Sequence, residues 1–242
     1  MKEKRNVSKF NEDILSVGGY HYTAVDKVSS RFANDRMTKL TIDTVDLSNK
    51  TVIDIGCGDG SYSHSLLQEN PEYILGIDAA QSAIVYASEK FKNQEKLLFR
   101  KVNVYDLDTL DNIFDIAVVR GVLHHLPDAK SAITQIVKSA RVVVVIEPNG
   151  YNPILKIIEK LSKYHREHEE KSYSPKNIDK WFLGVGDIEI VQRRYIGFVP
   201  FFCPDMLAII LKKVEPFIEA VPFLRNICCA QYTLKIVSVS NR

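Results

Sequence analysis

A glycine-rich segment at residues 52–60 is the part of the sequence whose residue types and spacing indicate chemistry most clearly. It reads Val-Ile-Asp-Ile-Gly-Cys-Gly-Asp-Gly, so an apolar stretch of strand length runs directly into a tight turn. Gly56, Gly58 and Gly60 allow the backbone to turn sharply and to approach a ligand closely. In open α/β sheets, ligands bind at such turns, at the carboxyl edge of the strands. The segment therefore predicts a cofactor site.

Carboxylates near this turn favour one class of cofactor over another. A nicotinamide dinucleotide needs a pyrophosphate site at a helix N-terminus, but here the spacing is GxGxG instead of GxGxxG and Asp54 and Asp59 flank the turn. Two carboxylates would repel a diphosphate, whereas one would attract the ammonium group of a methionine moiety. The charges therefore favour S-adenosylmethionine. Asp78, 18 residues after Gly60, can accept hydrogen bonds from ribose hydroxyls, but both cofactors have a ribose.

Two adjacent histidines and a glutamate are the candidates for acid–base chemistry. His124 and His125 follow the fourth predicted strand, and Glu147 ends the fifth. A histidine has a reference pKa near 6.5, which suits removal of a proton from a hydroxyl nucleophile at neutral pH. The alternative for each histidine is a packed or hydrogen-bonded side chain. Glu147 either orients an acceptor, acts as a base or caps the loop that follows it.

A second histidine pair, His165 and His168, lies in the charged run His-Arg-Glu-His-Glu-Glu. This spacing places the two side chains one helical turn apart, where they could contact one metal ion. No neighbouring residue completes a ligand set, so we predict no metal site and favour a solvated helix end. The four cysteines form no CxxC pair and indicate neither zinc nor a disulfide framework.

Strand-length and helix-length patterns alternate from residue 51 onward, which is typical of a parallel sheet built from βαβ units. Beyond the fifth strand, two long strands are predicted at Asp187–Val199 and Tyr232–Val239, with a helix at Met206–Ala220 between them. The first 50 residues are predicted to be helical. The predicted strands of the core are Thr51–Ile55, Tyr73–Asp78, Leu97–Val104, Asp115–Arg120 and Arg141–Ile146, and its first two helices are Ser61–Asn70 and Ala80–Phe91.

The most apolar piece of the chain is residues 198–224. Its stripe of Ile210, Val214, Phe217 and Val221 fits the buried face of a helix that covers the sheet, and we expect burial. The alternative is a helix that docks on a membrane surface.

Composition limits the classes of partner. The 242 residues include 32 Lys and Arg against 30 Asp and Glu, without a basic run, which argues against nucleic acid. No apolar stretch approaches the ~20 residues that span a bilayer, and no secretory signal follows the charged start. We expect a cytoplasmic protein without an integral membrane segment. Its partner is expected to be a small or lipid-like molecule.

Five motifs in order resemble the class I S-adenosylmethionine-dependent methyltransferases, in particular those that act on small molecules. They are VIDIGCGDG, LGIDAA, VNVYDL, FDIAVVRGVLHHLPD and VVVIEPNG, which together span residues 51–150. The resemblance implies a Rossmann-like α/β fold with a mostly parallel seven-stranded sheet, helices on both faces and an antiparallel C-terminal strand. It also implies one domain over residues 1–242. An N-terminal helical cap (1–50) precedes the cofactor-binding core (51–150), and acceptor-side additions with a helical insertion follow (151–242).

The resemblance also implies which residues hold the methionine end of the cofactor. Asp54 and the backbone of Gly56, Cys57 and Gly58 would bind it, with the main chain of Arg120 near the ammonium group. The alternative for Asp54 is a cap of the turn that follows it.

The nucleoside end of the cofactor is assigned in the same way. Asp78 would hold the ribose, and Ala79, Asn103 and Val104 would contact the adenine. Asn103 stands where many relatives have Asp, so an amide oxygen would meet the adenine amino group. The alternative for Asn103 is an ordinary turn residue at a strand end.

The predicted reaction is methyl transfer from S-adenosylmethionine to a small molecule, at a hydroxyl oxygen, assisted by His124 or His125. Two other classes remain open. A non-catalytic protein that binds S-adenosylmethionine would show no turnover of labelled cofactor, and a nicotinamide oxidoreductase would be stabilised against heat by NAD instead.

Overall fold

Seven strands form one sheet in the computed structural model, which describes residues 7–12, 14, 27–110, 112–162, 171–201 and 203–239. The strands are β1 (Thr51–Ile55), β2 (Tyr73–Asp78), β3 (Leu97–Lys101), β4 (Phe114–Arg120), β5 (Ala140–Pro148), β6 (Ile188–Ile196) and β7 (Gln231–Ser238). Their order is β3-β2-β1-β4-β5-β7-β6. β1 to β5 pair in parallel, whereas β7 is antiparallel to β5 and β6. The predicted mostly parallel seven-stranded α/β fold is confirmed.

Helices connect the strands and extend the chain beyond the sheet. They are α1 (Val28–Thr44), α2 (Ser61–Leu66), α3 (Gln81–Lys90), α4 (Ala129–Ser139), α5 (Pro153–Leu161), α6 (Pro175–Leu183), α7 (Asp205–Ala220) and α8 (Pro222–Cys228). Residues 7–12 and 14 are also helical, and short 3₁₀ helices lie at Leu67–Glu69, Val104–Thr109 and Leu123–His125. Side chains fix the helix starts: Ser174 caps α6 and Asp128 caps α4 by accepting backbone N–H bonds.

The central strands are apolar on both sides because helices cover both faces of the sheet. Successive side chains of a strand point to opposite faces. Val52 accordingly packs with Tyr62 and Leu66 of α2, whereas Ile53 belongs to a larger cluster that includes Ile133 of α4. Strands buried in this way read as continuous apolar runs, which is why the sequence pattern predicted them closely.

The ends of three outer strands meet at the edge of the sheet that carries the glycine-rich turn. In the antiparallel register, Gln231 at the start of β7 lies opposite both Pro148 at the end of β5 and Ile196 at the end of β6. α7 and α8 connect β6 to β7, so both helices leave the sheet from this edge. The additions after residue 150 are therefore anchored on the same side as the predicted site.

The structure corrects the predicted end of the third strand. The third strand ends at Lys101 instead of Val104, because the Asn103 side chain accepts a hydrogen bond from the Tyr105 N–H and begins a 3₁₀ helix.

The expected burial of the α7 stripe is wrong. Ile210, Val214 and Phe217 are exposed, whereas Glu215 and Ile218 face inward. α7 is apolar on more than one side, so periodicity defines a stripe without saying which side is covered.

We predict that Gly76→Ala lowers the free energy of unfolding by about 1–3 kcal/mol, because small-to-large changes in a packed site are costly. A β-carbon on Gly76 would lie 2.7 Å from the ring of Phe99, its register partner in β3, and 3.0 Å from Cys57 Sγ. Denaturant unfolding of Gly76→Ala, Phe99→Leu and the double variant measures the effect. The double variant should lose less than the sum of the two single losses. Strictly additive losses would contradict the predicted contact.

Candidate active site

The glycine-rich turn is tied to the end of the neighbouring strand by its own backbone. The N–H groups of Gly56 and Cys57 both donate to the carbonyl of Ile77, at 2.8 and 2.9 Å. Gly56 has φ +77°, and a β-carbon there would lie 2.5 Å from Val122 Cγ2. The turn after β1 therefore packs directly against the loop after β4, and glycine at position 56 is required by both its backbone angle and its contact.

Asp78 joins this turn to the start of α3. Its Oδ2 accepts from the Gly58 N–H at 3.0 Å, and its Oδ1 accepts from the Ala80 N–H at 2.8 Å. Burial raises the pKa of Asp78, and the backbone hydrogen bonds oppose that rise. Because a carboxylate offers about four acceptor positions, Asp78 keeps room for a ribose hydroxyl.

Asp54 is a buried carboxylate beneath the same turn, only 1% exposed. The Ser63 hydroxyl donates to its Oδ2. Burial raises the pKa of Asp54 to about 6, while the bond from Ser63 and the positive charge of Arg120 act in the opposite direction. Asp54 is therefore mostly ionised at neutral pH. It can attract a cation, but it also has a hydrogen-bonding partner within the protein.

The Cys57 thiol is buried, and burial raises its pKa well above its usual value. It is therefore protonated at neutral pH, which is unsuitable for nucleophilic chemistry. Its sulfur lies 3.0 Å from the position of a β-carbon on Gly76, so the side chain fills space under the turn.

Arg120 contributes more than the main chain that the sequence assigned to the site. Its guanidinium lies 4.3 Å from the centre of the Tyr62 ring and donates to Asn34 Oδ1 of α1. The Tyr62 hydroxyl in turn shares a hydrogen bond with Thr41 of α1. The side chain thus links β4 to the N-terminal helix. In the sequence, the sign of this link is a charged residue at the end of an apolar strand.

Two of the predicted adenine-contacting residues line one cavity of about 590 Å³. Ala79 and Asn103 are both on its wall, whereas Val104 is buried beside it in the core. The N-terminal helical segment contributes Val7, Ser8 and Asn11 to the same wall. This contribution was missed, because no motif connects residues 7–12 to the core.

Asn11 also fixes that segment to α3. Its Oδ1 accepts from both the backbone N–H and the hydroxyl of Ser82, at 2.9 and 2.6 Å. Asn11 therefore acts as a cap for α3 from a distant part of the chain.

Glu147 organises the loop that carries the histidine pair. Its Oε1 accepts from the N–H groups of Val122 and Leu123, both at 2.8 Å, and its Oε2 accepts from the His124 N–H at 3.3 Å. The same Oε2 lies 2.9 Å from His124 Nδ1. Glu147 is 1% exposed. This geometry favours the capping role over that of a base, and the capped loop precedes Glu147 in the chain instead of following it.

The two neighbouring imidazoles are in contact with each other. The ring centres of His124 and His125 are 3.9 Å apart, and His125 also makes an edge-to-face contact with Phe10, at 5.0 Å. The second pair, His165 and His168, lies outside the described residues.

Comparison with known proteins identifies a methyltransferase domain within this chain. Residues 53–142 match the family model described as a methyltransferase domain. Among solved structures, the N-methyltransferase NodS from Bradyrhizobium japonicum with bound S-adenosyl-L-homocysteine has a TM-score of 0.65 at 13% identity, covering 97% of this chain and 98% of that one. Magnesium protoporphyrin IX methyltransferase from Synechocystis has a TM-score of 0.64 at 17% identity, covering 98% of this chain and 97% of that one. At these identities the structures show the fold alone.

Curated relatives match part of the chain. Demethylmenaquinone methyltransferase from Lactiplantibacillus plantarum is 27% identical over 146 residues, 56% of this chain and 62% of that protein. tRNA U34 carboxymethyltransferase from Helicobacter pylori is 24% identical over 132 residues, 51% of this chain and 50% of that protein. The chain spans about half the length of several of these relatives. The family match identifies a methyltransferase domain over residues 53–142, and the solved structures share its fold.

None of the helices in the described ranges is long and apolar enough to span a bilayer.

We predict that affinity for S-adenosyl-L-homocysteine rises about tenfold between pH 5 and pH 7. A bound ammonium group favours the ionised form of Asp54, and the ionised fraction increases as the pH passes its pKa of about 6. Isothermal titration calorimetry across this range measures the effect. Asp54→Asn is the matched control, which should bind weakly with a flat profile. A flat profile for the unaltered protein would contradict the prediction and indicate that Asp54 serves only hydrogen bonds within the protein.

Proposed function

We propose that this protein transfers a methyl group from S-adenosylmethionine to a hydroxyl oxygen of a small molecule. The observation that carries the proposal is the contact between Glu147, at the end of β5, and His124, whose loop packs directly on the glycine-rich turn. The pair combines an imidazole with a buried carboxylate at the sheet edge where cofactor and acceptor would meet.

The residues at this edge fit the cofactor. Asp54 would attract the ammonium group, and the backbone of Gly56, Cys57 and Gly58 would contact the methionine end. Asp78 would bind the ribose, while the cavity with Ala79 and Asn103 on its wall has the apolar and amide surface that an adenine requires. When bound, S-adenosylmethionine supplies an activated methyl group. The protein then has mainly to align the acceptor, an effect that can contribute ~7–11 kcal/mol.

Within this proposal, His124 removes the acceptor's proton and Glu147 positions His124. Glu147 accepts three backbone N–H bonds, and its Oε2 is also within hydrogen-bonding distance of His124 Nδ1. It therefore favours the tautomer with the proton on Nδ1 and the lone pair on Nε2. A positioned base of this kind typically contributes about 10²–10⁴ in rate. His125 packs against His124 and supports its orientation.

The class of acceptor rests on charge and on the residues around the site. The near balance of 32 basic and 30 acidic residues favours a small acceptor over a polyanion. The N-terminal segment and the additions after residue 150 would enclose the acceptor, within one domain over residues 1–242. The match to a protein named tRNA U34 carboxymethyltransferase makes tRNA the second candidate acceptor.

We predict that S-adenosylmethionine and S-adenosyl-L-homocysteine bind, and that NAD does not. The buried Asp54 carboxylate lies beside the turn, where it would repel a pyrophosphate, whereas Asp59 is paired with Lys90 at 3.8 Å. Isothermal titration calorimetry with each ligand measures this directly. Heat from NAD without heat from S-adenosylmethionine would overturn the assignment of the cofactor.

We further predict that label from S-[methyl-¹⁴C]adenosylmethionine is transferred to the small-molecule or lipid extract of cells, not to their tRNA. With the accepting fraction, His124→Gln should lower kcat about 10²-fold and leave cofactor affinity intact, because the base is lost and the cofactor contacts remain. His125→Gln, the matched control, should have a smaller effect.

Glu147→Gln separates positioning from structure, since it should shift the pH profile of kcat while the cofactor still binds. Transfer only to tRNA would replace the small-molecule acceptor. Full rates for His124→Gln and His125→Gln from about pH 6 to 9 would mean that the nucleophile is a nitrogen or carbon that needs no base.

A further inference from the structure

The helix after β5 leaves three large apolar side chains exposed, while two of its charged side chains bond to a neighbouring segment of the chain. Ile154, Ile157 and Leu161 of α5 are 60%, 57% and 72% exposed. On the other side of α5, Lys156 Nζ donates to the carbonyl of Ser172, and Glu159 accepts from the Ser172 N–H. A helix at a water-facing surface has the opposite arrangement, so this orientation indicates a partner other than water.

α7 has the same inverted arrangement. Met206, Ile210, Val214 and Phe217 follow the i, i+4, i+8, i+11 spacing of one helix face, and all four are exposed. The two glutamates of α7 instead serve the interior. Glu215 accepts from the N–H groups of Phe198 and Val199. Glu219 accepts from the Gly197 N–H and pairs with Arg36 of α1.

These glutamate contacts fix the rotation of α7 about its axis. They satisfy the backbone N–H groups of residues 197–199, which follow β6 and lie beyond its ladder. Turning the apolar stripe inward would bury Lys213 and leave these N–H groups without their carboxylate acceptors, which is costly for buried polar groups. The exposure of the stripe therefore follows from the hydrogen bonds that hold α7 in place.

The exposed apolar area is comparable to the largest patch on a typical soluble monomer. Met206 is 73% exposed, Phe217 61%, and Phe223 in the following helix α8 71%. Because a large side chain presents about 150–250 Å², these residues and Ile210 expose roughly 500 Å² of apolar surface. Patches of this size on soluble proteins commonly mark interaction sites.

α5 and α7 belong to one edge of the sheet. α5 begins after the end of β5, and α7 follows the end of β6, both at the edge that carries the glycine-rich turn. Asn152 at the start of α5 also donates to the carbonyls of Cys228 and Cys229 at the end of α8. The two inverted helices are thus parts of one region, next to the candidate active site.

Charge selects the kind of partner. From Asp205 to Cys228, over α7 and α8, the chain has three cations and three acids. The three acids all have partners within the protein: Asp205 accepts from the Val28 N–H, and the hydrogen bonds of Glu215 and Glu219 point inward. Lys213, in contrast, is exposed within the apolar face. An apolar helix face with outward lysine fits an anionic lipid surface, where the side chains enter the headgroup region and lysine meets phosphate. A two-fold dimer through the centre of the patch would bring the Lys213 residues of both copies together.

We infer that the outward faces of α5 and α7 dock this protein on the surface of a membrane that contains anionic lipids. α7, with 16 residues, is about 24 Å long and would lie in the plane of the interface. The docked orientation directs the candidate active site toward the lipid. The surface is independent of the reaction, so binding can be tested without an acceptor.

The test is flotation of the full chain with vesicles of phosphatidylglycerol and phosphatidylcholine in equal amounts, and with vesicles of phosphatidylcholine alone. We expect binding to the anionic vesicles that weakens with salt. Ile210→Glu and Phe217→Glu should each weaken it about tenfold or more, since a carboxylate would replace an inserted apolar group and face anionic headgroups. Val85→Glu is the matched control. Val85 is likewise exposed on a helix, by 59%, but its helix α3 packs against β2 and β3, at the other end of the strand order from β6 and β7.

Folding of each variant is checked by circular dichroism, and Lys213→Glu gives a second, mild variant that should weaken binding to anionic vesicles alone. Three results would overturn the inference: a folded chain that ignores anionic vesicles, an equal loss in Val85→Glu, or unchanged binding in the α7 variants. Light scattering is the remaining check. A dimer that Phe217→Glu dissociates would assign the face to a second copy of the chain instead.

Discussion

The carboxylate of Glu147 is the interaction on which the candidate active site depends most. It extends from the end of β5 across to the loop after β4, where it accepts three backbone N–H bonds and contacts the His124 ring. A buried carboxylate is stable only with such partners. Because Val122 in the same loop packs on Gly56, the position of the glycine-rich turn and that of the imidazole are set together.

The parallel core supplies this arrangement with its common edge. β1, β2, β4 and β5 run in one direction, so Gly56, Asp78, Arg120 and Glu147 all fall at their carboxyl ends. The antiparallel pairing of β7 then brings the end of β6 to the same edge. The additions that enter or leave the sheet at this edge therefore lie on the side of the candidate site.

Local sequence patterns predicted the elements of the core well, and the reason is physical. Strands buried on both faces are continuously apolar, and glycines that need positive φ are visible as residue types. β2 was predicted at both ends. Interactions between distant residues were not predictable in this way. Asn11 on Ser82 and Arg120 on Asn34 join residues 71 and 86 positions apart, and no local period encodes such pairs.

The error at α7 shows the same limit in a helix. Period 3.6 identified Ile210, Val214 and Phe217 as one stripe, which the structure confirms, but the side that faces the protein was assigned by hydropathy alone. The assignment failed because the N–H groups of residues 197–199 require acceptors, and Glu215 and Glu219 supply them. An unsatisfied buried donor costs about 1–3 kcal/mol. Three such donors, together with the pairing of Glu219 with Arg36, oppose the gain from turning the stripe inward, so polar contacts at the end of β6 help to set which hydrophobic face the protein presents to its surroundings.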